Sequence, residues 1–303
     1  MSILASKTLA AIDTCLAADH GNLFKQCLKR RIAQLYDAYA PEKGGFRSHM
    51  GASYIGNPCV RQIWYKFRWF ADITPPPRLL RLFNRGHLEE GRMQALLDTI
   101  GCELFLSDTE DKQYGFEILN GLIGGSCDGV ALHVPDVPKG EHCLIEFKTS
   151  NAKRFAALTK NGLVNEQLTH YVQMIVYMFK LDLKFGLYLV TNKDTDELYG
   201  EILEANDELA ESFLERAEQI VRCVDVVPAR INESPGWFLC RCCDYKNVCH
   251  NKAVPARNCR TCTAFAVVKE DGTIYCANTD DGDALTKEDQ LAACNGWKPF
   301  TAD

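Results

Sequence analysis

The chain has no uninterrupted apolar run of the roughly 18 or more residues that a membrane helix needs. Its first 18 residues are partly apolar, but Lys7 and Asp13 interrupt them and no basic segment precedes a clean apolar stretch, so no export signal is expected. Internal repeats and low-complexity tracts are missing too, which argues against solenoids and long linkers. Positive charge is also in short supply. With 34 Lys and Arg against 40 Asp and Glu, the net charge is −6, so any hold on a polyanion must come from local patches. Three patches qualify: Lys25, Lys29, Arg30 and Arg31; Arg78, Arg81 and Arg85; and Lys153, Arg154 and Lys160. Each could equally be a solvated helix face. The expectation is a cytoplasmic chain with no membrane partner.

What is present is enough apolar material for a substantial core, 47% of 303 residues, in one large domain or two smaller ones. Helix is expected over 6–39 with a break at His20-Gly21-Asn22, then a linker over 40–45. A helix over 58–70, the run Pro75-Pro76-Pro77 and a second helix over 78–100 follow. Strands are expected over 102–107, 114–119, 124–134 and 143–150, helices over 152–160 and 166–181, strands over 184–191 and 198–204, and a helix over 207–224. Strands joined by a helical crossover make an α/β fold with a mixed sheet.

Three short patterns carry the chemistry: Gly125-x-x-Asp128, Glu146-Phe147-Lys148 and Gln173-x-x-x-Tyr177. Asp128 follows two glycines, which allow close backbone approach, and precedes an apolar run. Glu146 and Lys148, two apart on a strand, share a face. Phosphodiester hydrolysis requires oxygen ligands for Mg²⁺ or Mn²⁺, a metal-bound water made more acidic, and a positive group at the phosphate. Asp128 and Glu146 could supply the first, and Lys148 the last. A lone Glu-x-Lys is more often a surface ion pair. Its place between the other two patterns favours the chemical reading.

Together these residues resemble the core of the PD-(D/E)xK nuclease superfamily, and Gln173 with Tyr177 resembles the extra motif of its RecB-like branch, which contacts the substrate strand or supports the active site. The resemblance implies a restriction-endonuclease-like core whose central mixed sheet is flanked by helices. It also implies one more metal ligand from an earlier helix, four residues after a glycine. Glu90 stands at that distance from Gly86 in Arg85-Gly86-His87-Leu88-Glu89-Glu90. His87, one turn from Glu90, departs from the usual histidine position but could reach the site or the DNA. Lys153 and Arg154 are the candidates for the strand backbone.

The 15 cysteines, in a chain without an export signal, read as metal ligands where they cluster. Cys240, Cys243 and Cys249 put three thiols on a tight loop, and a tetrahedral metal or a cube-shaped cluster needs a fourth, for which Cys59 is the distant donor. This arrangement resembles AddB-type and CRISPR-associated iron-sulfur nucleases, which implies a [4Fe-4S] cluster stapling the chain ends. Zinc in the same thiols is the alternative, and Cys242 makes the trio ambiguous. Farther on, Cys259-x-x-Cys262 with Cys276 and Cys294 reads as a small zinc ribbon around a hairpin strand at 273–275, with His250 as a substitute ligand. This tail resembles cysteine-rich extensions of phage-encoded nucleases. Cys15, Cys27, Cys102, Cys127, Cys143 and Cys223 have apolar neighbours and read as small core residues.

The expected organisation is an N-terminal helical segment over 1–45, a RecB-like nuclease domain with its staple over 46–250 and a zinc-binding tail over 251–303. The expected activity is that of a divalent-metal-dependent DNA exonuclease acting on single strands or duplex ends in recombination, repair or phage DNA metabolism, with a recombination or replication protein as partner. The alternative is a DNA-end-binding or CRISPR-adaptation-like accessory protein whose core mainly recognises ends.

Overall fold

The structure, a computed structural model, describes residues 2–35, 46–110, 112–267, 270–279 and 284–301. The expected linker at 40–45 and the end of the first helical stretch lie outside the described residues. The elements are β1 (Ser2–Leu4), α1 (Ser6–Ala18), α2 (Asn22–Gln34), β2 (Met50–Gly51), α3 (Ala52–Ile55), α4 (Val60–Phe67), α5 (Pro77–Thr99), β3 (Glu103–Phe105), β4 (Gly115–Ile118), β5 (Ile123–Ser126), β6 (Gly129–Leu132) and β7 (Cys143–Ser150). Then come α6 (Ala152–Asn161), α7 (Leu163–Glu166), α8 (Leu168–Lys180), β8 (Phe185–Asn192), β9 (Leu198–Glu204), α9 (Asp207–Arg222), α10 (Phe238–Arg241), α11 (Lys246–Asn251), a 3₁₀ turn at Cys259–Thr261, β10 (Phe265–Val267), β11 (Ile274–Cys276) and α12 (Lys287–Ala292). Among the described residues no helix is long and apolar enough to cross a membrane.

Packing divides the chain into two units: Met1–Lys43, Pro75–Phe116 and Ser126–Glu211 in the first, Gly44–Thr74, Glu117–Gly125 and Ser212–Asp303 in the second. The first is built on a mixed six-stranded sheet of order β1-β9-β8-β7-β6-β3. Here β7 and β8 run parallel, joined by the helical segment α6 to α8, while the other neighbours are antiparallel. Alternation along β7 gives the sheet two different faces. Cys143, Ile145 and Phe147 join Leu187, Leu189, Ala131 and Ile202 in an apolar core with Met93 and Leu97 of α5. Leu144, Glu146 and Lys148 point the other way, toward α8. Gly186 lets that helix approach, because a Cβ there would lie 2.7 Å from the Met178 Sδ and 3.0 Å from the Met174 Cε.

Two expected elements are broken in the structure. The single strand over 124–134 is two strands, β5 and β6, because Gly129 adopts φ +144°, a conformation other residues avoid. The helix over 166–181 begins earlier and is interrupted at Gln167, whose φ of −139° and ψ of 56° are not helical. Helix α4 is shorter than the expected 58–70, since Trp69 at φ 55° turns the chain out of it.

In the second unit β2 pairs parallel with β5, and β10 with β11 forms an antiparallel hairpin. Its core holds two arginines, Arg68 and Arg260, at 0% and 1% exposure. Carbonyl oxygens and stacked rings surround both. Arg68 donates to the carbonyls of Arg260, Val224 and Cys262. Arg260 donates to those of Phe67 and Ser48 and to the Gln290 side-chain oxygen. Rings of Trp64, Phe265 and Phe300 flank the first guanidinium, those of Phe67 and Trp69 the second. Burial lowers both pKa values to about 9.

Candidate active site

In the first unit the register of β6 against β7 pairs Gly129 with Ile145, so Asp128 and Glu146 stand one step beyond that pair. The Phe147 backbone N–H donates to the Asp128 Oδ2 at 2.7 Å, which fixes the aspartate to the next strand. Glu146 is fully buried and bonded through Oε1 to the Lys148 ammonium, while its Oε2 has no hydrogen-bond partner. Burial first, and the Asp128 charge second, hold the Glu146 carboxyl well above the ordinary carboxylate range. Burial pulls the Lys148 ammonium down, but Glu146, Asp128 and Glu90 together outweigh it and leave its pKa raised. An unpartnered buried carboxylate oxygen is costly unless something satisfies it. With Asp128 alongside, this donor set suits a hard divalent cation.

Helix α8 brings Gln173 and Tyr177 to the same place. The Tyr177 hydroxyl donates to the Ser126 carbonyl at 2.7 Å, just ahead of Asp128. Gln173 is 7% exposed, its Oε1 also lacks a partner, and it helps hold the Glu146 proton affinity down. Glu90 is close enough for Lys148 to feel its charge, and the His87 Nδ1 lies 3.8 Å from the Glu90 Oε1 on α5. Lys153 and Arg154 are exposed in the first turn of α6, where the Asn151 side chain accepts from the Arg154 N–H. Arg31, one of the expected patch cations, is instead engaged by Asp98 through two hydrogen bonds of 2.7 Å.

Three residues escaped the sequence reading. Glu89, next to Glu90, is 7% exposed and paired with Arg92 at 3.1 Å. Tyr188 lies between Glu146 and Glu201 in the row that crosses β7, β8 and β9. His170, one turn ahead of Gln173, has its Nδ1 2.7 Å from the Tyr188 hydroxyl. Burial, then Lys148 and Arg154, lower the His170 pKa to about 4. A histidine one turn before Gln173 was the available signal, and its link to Tyr188 depends on a strand 18 residues away.

The second unit gathers the two cysteine sets separately. Cys59, Cys240, Cys243 and Cys249 line one pocket, together with Arg61, Arg230, Lys246 and His250. The Arg61 Nη1 lies 3.9 Å from the Cys249 Sγ. Cys242 is exposed and does not line this pocket. Cys259, Cys262, Cys276 and Cys294 line another pocket with Phe265, Leu285 and Trp297. His250 belongs to the first pocket, so its expected part as a substitute ligand in the tail is corrected. Burial and neighbouring thiols raise Cys243 to about 11 and shift Cys259 upward. Among the described residues no group of three or more His, Cys, Asp or Glu side chains is placed so that it could hold a metal ion. Of the expected core thiols, Cys27, Cys102, Cys127 and Cys143 are buried, whereas Cys15 and Cys223 are only partly so because each sits near a helix end.

Comparison with curated proteins gives no match. Among solved structures, the chain is similar to the crystal structure of SSO0001, with 18% identity over 76% of this chain and 96% of that one and a TM-score of 0.39. It is also similar to LHK-Exo in complex with dAMP, at 12% identity over 57% and 86% of the two chains and a TM-score of 0.39. The alkaline exonuclease LHK-Exo from Laribacter hongkongensis gives the same identity and coverage and a TM-score of 0.38. These likenesses are too distant to bear on function. A family profile for the PD-(D/E)XK nuclease superfamily matches residues 16–250, well over half of the sequence. With that match spanning both the Asp128, Glu146 and Lys148 strands and the Gln173 helix, the chain belongs to the PD-(D/E)XK nuclease superfamily.

Proposed function

We propose that this chain is a divalent-metal-dependent deoxyribonuclease, working as an exonuclease on single-stranded DNA or duplex ends in recombination, repair or phage DNA metabolism. The observation that carries the reading is the buried, unpartnered Glu146 Oε2 beside Asp128. Asp128, Glu146 and Glu90 would hold Mg²⁺ or Mn²⁺, which when bound supplies Lewis acidity and a more acidic water. Lys148, kept protonated by its carboxylate neighbours, offers a fixed positive charge to the phosphate under attack. Gln173 and Tyr177 orient the strand being cut, and Lys153, Arg154 and His87 bear on its backbone. Lys148→Ala is expected to abolish Mg²⁺- or Mn²⁺-dependent degradation of labelled DNA while the fold and DNA binding persist. Cleavage retained in that variant would overturn the assignment.

The same reading gives the Cys59, Cys240, Cys243 and Cys249 pocket a [4Fe-4S] cluster and the Cys259, Cys262, Cys276 and Cys294 pocket a zinc ion. Four thiols around a pocket with no carboxylate in its lining support a thiophilic group in the first. In the second, the Lys298 N–H donates to the Cys262 Sγ at 3.5 Å, a contact that favours a thiolate. Protein purified without oxygen is expected to be brown, to lose its visible absorption on Cys243→Ser or Cys249→Ser, and to contain iron and zinc together. A colourless protein holding only zinc would assign both pockets to zinc.

A further inference from the structure

His170 is half-buried in the first unit, and the Tyr188 hydroxyl is its hydrogen-bond partner among the described residues, at 2.7 Å from Nδ1. Two arrangements could make this bond. If Nδ1–H donated, the Tyr188 hydroxyl proton would have no acceptor, since the described residues offer it none. That would strand a donor on a side chain only 1% exposed, at a cost of about 1–3 kcal/mol. Burial also raises the Tyr188 pKa, which keeps this phenol a donor. The satisfied arrangement has Tyr188 donating to Nδ1, so the imidazole proton sits on Nε2. The tautomer is set from inside the sheet.

Tyr188 lies beside Glu146 in the β7 and β8 register, and the charges that His170 feels most are Lys148 and Arg154. Through Tyr188 the ring is tied to the strand position beside Glu146, and α8, which carries it, also carries Gln173 three residues on. From this geometry we infer that the His170 Nε2–H is an uncharged donor to a phosphate oxygen of the bound DNA strand, held in that tautomer by Tyr188. The inference rests on the nuclease reading above and adds a substrate contact to it. It differs in kind from a lysine or arginine contact. A cation that neutralises a phosphate releases counterions and steepens the salt dependence of binding by about 0.7 per contact on single strands. An uncharged donor adds affinity without adding slope.

The test is the binding of a fluorescent single-stranded oligonucleotide, with Ca²⁺ replacing Mg²⁺, measured across a salt series for wild type, His170→Ala, His170→Gln, Tyr188→Phe and Arg154→Ala. His170→Ala should weaken binding about two- to tenfold with an unchanged salt slope. His170→Gln, which keeps an N–H donor, should recover part of the loss. Tyr188→Phe, which frees the tautomer, should fall between wild type and His170→Ala. Arg154→Ala should lower the slope. With Mg²⁺ present, the His170 effect should appear mainly in KM. Unchanged affinity in His170→Ala at every salt would overturn the inference while leaving the nuclease reading in place. A reduced slope in His170→Ala would also overturn it, by showing the ring to act as a cation. Should His170→Ala fail to fold, the Gln and Phe variants decide on the same readouts. A wild-type protein that neither binds nor cuts DNA would remove the nuclease reading and this inference with it.

Discussion

The Tyr177 hydroxyl donates to the Ser126 carbonyl across 51 residues, so a helix and the strand end before Asp128 are tied by one 2.7 Å bond. Replacing Tyr177 with Phe keeps the ring and its edge-on contact with Phe116 but removes the donor. The expected cost is about 1 kcal/mol of stability, read from urea unfolding. A larger fractional loss should appear in kcat, because Asp128 is then held from one side only. Unaltered kcat would show that the bond is not needed to place the aspartate.

Helix α1 begins at Ser6 without a cap from its own sequence, and Asp136 provides one from a distant loop. Its carboxylate accepts the Lys7 and Thr8 N–H groups at 3.1 and 2.7 Å and the Thr8 hydroxyl at 2.8 Å. Asp136→Ala is expected to destabilise the fold by about 1–2 kcal/mol. Thermal unfolding would show it as a lower Tm, and Asp136→Asn should keep part of the difference. A Tm equal to that of wild type would remove the capping role.

Acid should weaken the fold through His170. Its folded pKa is lowered to about 4 from the ordinary 6.5, so between those values the unfolded chain binds the proton and the folded one does not. Stability from this group is complete above pH 6.5 and is lost as the pH falls toward 4, with about 2 kcal/mol gone near pH 5. His170→Phe removes that sensitivity, although it leaves the Tyr188 hydroxyl without its partner and lowers stability at neutral pH. Urea midpoints at the two pH values check the sign. Equal losses in wild type and variant would rule the histidine out as the source.

Gly129 is a strict requirement. At φ +144° a Cβ would sit 2.9 Å from both the Phe105 carbonyl oxygen and the Leu106 side chain. Gly129→Ala is therefore expected to cost about 3 kcal/mol or more and to displace Asp128 beside it. Folded yield and Tm measure the first effect, nuclease activity the second. A variant of normal stability would mean that β6 can shift to make room.

Much of this was readable along the chain because it depends on short spacings. The two-residue interval in Glu146-Phe147-Lys148 puts both polar groups on one sheet face, and the four-residue interval from Gln173 to Tyr177 puts both on one helix face. The mixed sheet followed from strands interrupted by a helical crossover. What stayed hidden depends on contacts between distant segments or on backbone angles. No local pattern shows Asp136 capping a helix 128 residues away, Asp98 engaging Arg31, or Tyr188 setting the His170 tautomer. Gly129 looked like one more small residue inside a strand, and only its φ makes it the break. Strands β1 and β2 are too short to leave a periodic signal.

The buried hydrogen bonds of Arg68 and Arg260 bear on how far the chain can be shortened. A protein ending ahead of Asn258 would keep the Arg68 guanidinium but lose the Arg260 and Cys262 carbonyls it donates to and the Phe265 and Phe300 rings beside it. The cation would then keep only the Val224 carbonyl and the Trp64 ring of the partners named above. The last fifty or so residues thus serve as the solvent for an interior charge, and trimming them would turn a satisfied core into one prone to aggregation.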